Sequence, residues 1–217
     1  MTITFPFLEK PIELSENRIS TLIIENPVLL RQTVCKLKGQ DSDIIVWDGY
    51  TRLDMHKVVE FIVDIFELDF SSKGLASKIF AEVSNTASDY ILESNSLIAR
   101  INELGNKIAA EMDFPITFAY LEDIERVLKV MGFSVATEDM DMPERILTYM
   151  NVSRKLLKRK VFIFLNLKSF LSENELSEFY KNVAYEKFCV LLLESYQRSY
   201  SDTNKETVII DRDFCII

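Results

Sequence analysis

Apolar positions along the chain fall into two patterns. Short β-branched or aromatic runs occur near both ends: Ile3–Phe7, Ile19–Ile24 and Ile44–Trp47, then Val161–Asn166, Phe188–Glu194 and Thr207–Asp211. They lack clean alternation, which suits strands buried on both faces, as in a parallel sheet. Stretches of helical period separate them, among them Asn26–Leu37 and Glu173–Asn182. That alternation predicts an α/β layer with crossover helices. The middle differs, because Asp54 to about Leu157 holds no convincing strand. Leu75, Ile79, Val83, Ala87, Ile91, Ile98, Ile101, Leu104 and Ile108 recur at three- and four-residue steps, with one seven-residue step after Ile91. The pattern predicts one amphipathic helix from Leu75 to Met112, roughly 55 Å long at 1.5 Å per residue. Pro115 closes it. A second helix is expected over Tyr120–Met131, stopped by Gly132, and a third from Pro143 to about Leu157. The expected organisation is a discontinuous α/β head, residues 1–53 and 158–217, with a helical insertion at 54–157. A helix of that length also predicts an extended arm and self-association.

Composition narrows the class. The chain has 217 residues, 48% of them hydrophobic and 27% charged, with five Gly and five Pro. This fits an ordinary globular protein and excludes wholesale disorder or a low-complexity tail. The longest apolar runs are about five residues, far below the ~20 needed to span a bilayer. No basic-then-apolar leader follows Met1, so a cytoplasmic location is expected, with no membrane partner. Cys35, Cys189 and Cys215 are widely spaced among apolar neighbours and read as buried reduced thiols. His56 is the one histidine and reads as an ordinary residue of a helix surface.

Charge is segregated. Residues 111–144 hold nine acidic and two basic side chains; residues 145–168 hold seven basic and none acidic, in a chain of net charge −9. Such blocks either pair with one another on the surface or form a cationic face able to hold phosphates. Nucleotide chemistry is poorly supported. No two glycines are spaced for a phosphate loop, Ile19–Ile24 is followed by Glu25-Asn26-Pro27-Val28, and Val161–Leu165 ends in Asn166 where a metal-binding Asp would sit. No nucleophile elbow or HExxH occurs. The carboxylates Glu122, Asp123, Glu125, Glu138, Asp139 and Asp141 suit a hard cation such as calcium by chemistry, without EF-hand spacing.

Several stretches, in order, carry a family resemblance: Thr4-Phe-Pro-Phe-Leu-Glu-Lys-Pro-Ile12, Leu22-Ile-Ile-Glu25, Asp64-Ile-Phe-Glu-Leu-Asp69, Lys158-Arg-Lys-Val-Phe-Ile-Phe-Leu-Asn166, Phe170-Leu-Ser-Glu-Asn-Glu-Leu176, Val190-Leu-Leu-Leu-Glu194 and Ile209-Ile-Asp-Arg-Asp-Phe214. The set resembles the small accessory protein of type II-A CRISPR systems, the ring-forming binder of DNA ends needed for spacer acquisition. No single stretch is unique; the order persuades. The chain carries a few extra residues around Pro115–Tyr120 relative to the pattern. The resemblance implies a P-loop-ATPase-like parallel-sheet head lacking a phosphate loop, with an α-helical leg insertion. It implies a homotetrameric ring holding double-stranded DNA in a cationic hole, calcium near the head–leg junction, no catalysis, and work beside the adaptation integrase and the RNA-guided effector nuclease. On that footing Arg154, Lys155, Lys158, Arg159 and Lys160 become DNA-contact candidates, and the six carboxylates become calcium candidates. Two other readings stand beside it: a non-catalytic α/β protein-interaction module assembling through its long helix, and a metal-dependent nuclease using the carboxylates.

Overall fold

A computed structural model of the chain describes residues 1–16, 18–39, 43–197 and 206–217. The chain divides into two compact units: Met1–Asp69 with Thr137–Ile217, and Phe70–Ala136. In chain order the first unit begins with β1 (Thr2–Thr4), β2 (Ile12–Glu13), β3 (Ser20–Ile24), α1 (Pro27–Lys38), β4 (Ile45–Asp48), β5 (Thr51–Leu53), the one-turn α2 (Met55–Val58) and β6 (Val59–Ile62). The second unit holds α3 (Lys73–Ala87), α4 (Ile91–Ala110) and α5 (Glu125–Met131). The first unit then resumes with α6 (Met142–Leu156), β7 (Val161–Leu165), α7 (Glu173–Tyr185), β8 (Cys189–Glu194) and β9 (Glu206–Ile210).

The architecture is mixed α/β. Five strands, ordered β6-β7-β8-β3-β9, form a wholly parallel sheet. Their continuous apolar runs have the reason the pattern suggested, since both faces are covered: all five residues of β3 and all six of β8 are buried. On one face Leu22, Ile24, Val161, Ile163, Leu191 and Leu193 share a core with Leu29 and Leu37 of α1. On the other, the Phe164 ring meets Phe179 of α7 edge-on at 5.8 Å, and Phe162 meets Phe188 likewise at 5.4 Å.

Ile3–Phe7 and Ile44–Trp47 do not join that layer. They contribute β1 and β4 to a separate four-stranded sheet, β2-β1-β4-β5, in which every pairing is antiparallel. Local geometry dictates this. Only Gly49 and Tyr50 separate β4 from β5, and so short a connection permits only an antiparallel neighbour. Gly49 takes φ 59°, the left-handed conformation such a turn needs.

The helix starts follow their capping chemistry. Asn26 accepts from the Val28 and Leu29 amides ahead of Pro27, Asp141 accepts from Glu144 N–H, and Ser172 and Glu175 form a reciprocal capping box. Other expectations need correction. The helical insertion was expected at 54–157, yet Val59–Ile62 is an edge strand of the parallel sheet and α6 belongs to the first unit. The second unit is confined to Phe70–Ala136. The single long helix is two, separated by a 3-10 turn at Ser88–Tyr90, which the four-residue step from Ala87 to Ile91 runs across without a gap; the seven-residue step lies inside α4. The helix expected over Tyr120–Met131 starts at Glu125, and Gly132 stops it with φ 66°. The thiols are free, but Cys35 and Cys215 are exposed and only Cys189 is buried; on α1 it is Leu29, Thr33 and Leu37 that turn inward.

Within the second unit, Asn102 holds Leu121 through two hydrogen bonds, of 2.9 and 2.8 Å to its carbonyl and amide. Leu75 is its one buried residue, and α4 leaves Ile91, Leu92, Leu97, Ile101, Leu104 and Ile108 exposed.

Candidate nucleic-acid interface

The cationic run Arg154–Lys160 forms the last turn of α6 and the lead into β7. Lys160 N–H donates to the Val58 carbonyl at 2.7 Å, tying the run to the end of α2. The five candidates divide by what holds them. The Arg154 guanidinium pairs with Glu186 at 3.0 Å, donates to Asn151 Oδ1 at 2.9 Å and lies 4.2 Å over the Phe188 ring. Arg159 pairs through Nε with Glu60 at 2.7 Å, both side chains being largely covered, and donates to the His56 carbonyl. The second oxygen of Glu60 accepts from Tyr149 Oη at 2.8 Å. Burial, then the Glu60 charge, pushes the Tyr149 hydroxyl far above the ordinary tyrosine range. Lys160 pairs with Asp48 at 3.2 Å on the surface.

Lys155 and Lys158 are different: both are exposed, and neither meets a carboxylate among the described residues. Beside the run opens a cleft of about 960 Å³, whose lining mixes the cations Arg154, Arg159, Lys160, Lys187 and Met1 with the carboxylates Glu13, Glu16, Asp48 and Glu186. The Met1 ammonium donates to the Leu14 carbonyl at 3.2 Å. Lys187 was not among the sequence candidates. The signal existed: it lies two residues before β8 as Lys158–Lys160 lie just before β7, and neighbouring parallel strands begin at the same sheet edge.

The six carboxylates fall in different places. Glu122 and Asp123 precede α5, and Glu125 opens it, all in the second unit; Glu138, Asp139 and Asp141 belong to the first. All six are exposed. Two already have structural work: Asp123 accepts from the Arg126 amide at 3.1 Å and pairs with its guanidinium, and Asp141 caps α6. Among the described residues no three His, Cys, Asp or Glu gather to hold a metal ion. The donor chemistry suits calcium, but neither unit assembles a ligand set from it.

Comparison with known proteins supplies the context. Residues 37–214 match the sequence pattern of the family described as CRISPR-associated protein (Cas_Csn2). The chain belongs to that family. Two relatives named CRISPR-associated protein Csn2 align with it end to end. The one from Enterococcus faecalis is 22% identical, covering 99% of this chain and 97% of the relative. The one from Streptococcus agalactiae is 23% identical, covering 99% and 96%. Among solved structures, "Putative ABC transporter (ATP-binding protein)" from Pyrococcus furiosus aligns over 95% of this chain and 93% of its own, with 13% identity and a TM-score of 0.36. That likeness is too slight to carry an argument. For this member of the Cas_Csn2 family, a CRISPR-associated role is the functional frame. No helix among the described residues is long and apolar enough to cross a membrane.

Proposed function

We propose that this protein binds double-stranded DNA without reading sequence and without catalysis, entering from duplex ends as a homotetrameric ring, in support of spacer acquisition. The observation that carries the reading is the unneutralised part of the cationic edge. In a chain of net charge −9, Lys155 and Lys158 stand exposed and without a carboxylate partner among the described residues. Exposed lysines contact phosphates rather than base edges, so binding is independent of sequence and steeply salt-dependent. The overall negative charge repels duplex elsewhere, which favours threading over lateral adsorption.

Further features support the finer parts. A P-loop-like head lacking its phosphate loop is supported by the β3–α1 junction, where Asn26 itself caps the helix amides that a nucleotide phosphate would use and no glycine precedes the helix. Assembly through a helical leg is supported by the exposed apolar positions of α4. Calcium enters as a proposal resting on donor chemistry alone. Its partners in this reading are duplex ends, the adaptation integrase and the RNA-guided effector nuclease, in the cytoplasm.

The test compares binding to linear and covalently closed circular duplex, each with calcium and with a chelator. Threading predicts binding to linear duplex only, and the calcium proposal predicts loss with chelator. Equal binding to both forms would replace the ring with an external surface. An intact oligomer that binds neither would favour the second reading, a protein-interaction module, to which the exposed α4 face also points.

A further inference from the structure

α6 and α7 end at the same edge of the parallel sheet, each through a lysine with left-handed backbone. One turns into β7 through Lys158 and the other into β8 through Lys187, with backbone φ of 60° and 56°. The closing hydrogen bonds reach back five residues at α7, as in a left-handed helix stop, and six at α6. Phe188 N–H donates to the Val183 carbonyl at 2.9 Å and Lys187 N–H to Ala184 at 3.2 Å, while Arg159 N–H reaches back to Ser153 at 3.2 Å. Glycine is the ordinary occupant of such a position, because a Cβ is crowded there. Lysine at both stops runs against local conformational preference. Compensation of the helix dipole does not call for Lys158, since α6 already has Arg154 and Lys155 in its last turn; α7 has no basic residue there. Asp139, Asn166 and Phe214 share this backbone, so what singles out the two lysines is their common place, at helix stops that lead into neighbouring strands.

The geometry gives that use. β7 and β8 are hydrogen-bonded neighbours, with Val161 opposite Cys189, so the two lysines lead into strands about 4.8 Å apart. Both are exposed. Neither meets a carboxylate among the described residues, unlike Arg154, Arg159 and Lys160. Lys187 also lines the cleft that holds Arg154 and the Met1 terminus. We propose that Lys158 and Lys187 act together as a paired phosphate contact straddling the entries of β7 and β8, which makes Lys187 a DNA-binding residue. The inference rests on the duplex-binding reading above.

The experiment uses the strain itself. Lys158→Gly and Lys187→Gly remove the charge while giving each stop the residue its backbone prefers, so Tm should hold or rise. Affinity of the full chain for linear duplex is then measured across a salt series. Each lost phosphate contact lowers the slope of log K against log salt by about 0.9. In a homotetramer each substitution is present in every subunit, so Lys187→Gly should lower the slope by about 0.9 for each subunit whose Lys187 meets a phosphate, and the double variant by about twice as much. The Lys158→Arg/Lys187→Arg double variant should keep the wild-type slope. A glycine double variant with an unchanged slope overturns the pair while leaving duplex binding intact. An arginine variant that loses as much as the glycine one overturns the charge explanation. Wild-type protein that binds no duplex overturns both the pair and the reading beneath it.

Discussion

Arg159 and Lys158 are adjacent in a run of like charges, yet their surroundings assign them different work. Arg159 is held by Glu60, whose other oxygen is taken by Tyr149. Arg159→Ala would leave that covered carboxylate without its counter-charge. We expect a stability loss of about 1–3 kcal/mol, read by denaturant unfolding, from an unpaired group of this kind. Lys155→Glu with Lys158→Glu removes no partner from any buried group. It should move stability by no more than about 0.5 kcal/mol while weakening duplex binding and flattening its salt dependence. Tyr149 provides a pH test. Its ionisation is pushed up in the folded state, so its contribution is complete below the ordinary tyrosine range near ~10 and is lost as pH rises above it. The stability gap between wild type and Tyr149→Phe should therefore be constant through neutrality and shrink in strong alkali. A gap that persists there would contradict the assignment.

At the level of elements, capping decides what holds and what was readable. Asn26→Ala removes the acceptor for two amides at the start of α1 and should cost about 1 kcal/mol, seen as a lowered Tm. Asn26-Pro27, Asp141 before Pro143, and Ser172 with Glu175 are legible in sequence because a cap acts over three or four residues. β8 is legible because six successive buried residues leave no other reading. β6 is not: Val59-Glu60-Phe61-Ile62 follows a helix start at Asp54 without an intervening glycine or proline, and its strand state comes from pairing with β7, about a hundred residues away. The break between α3 and α4 hides for a related reason, since both pieces are amphipathic and the four-residue steps Val83, Ala87 and Ile91 run straight across it. The cationic edge could be found from charge alone. Which of its members are neutralised could not, because Glu60, Asp48 and Glu186 come from three separate segments.

For the whole molecule, the ring proposed above needs a contact between copies, for which the exposed apolar positions of α4 are the candidate. The α4 positions Ile101, Leu104 and Ile108 are each 40% exposed or more on a helix with no buried residue of its own. Ile101→Asp with Ile108→Asp should reduce the sedimentation coefficient of the assembly while leaving far-ultraviolet circular dichroism unchanged. Retention of the wild-type coefficient would remove α4 from the assembly surface. The order of the parallel sheet has a consequence of another kind. β3 lies between β8 and β9 and is bonded to both, so an early segment of the chain is flanked only by very late ones. At about 5–20 residues per second of synthesis, Ser20–Ile24 leaves the ribosome on the order of ten seconds or more before either neighbour exists. The apolar centre of the sheet is thus a debt carried through translation. Nascent chains stalled before Cys189 should be retained by holdase chaperones, and those that have extruded Ile210 should be released.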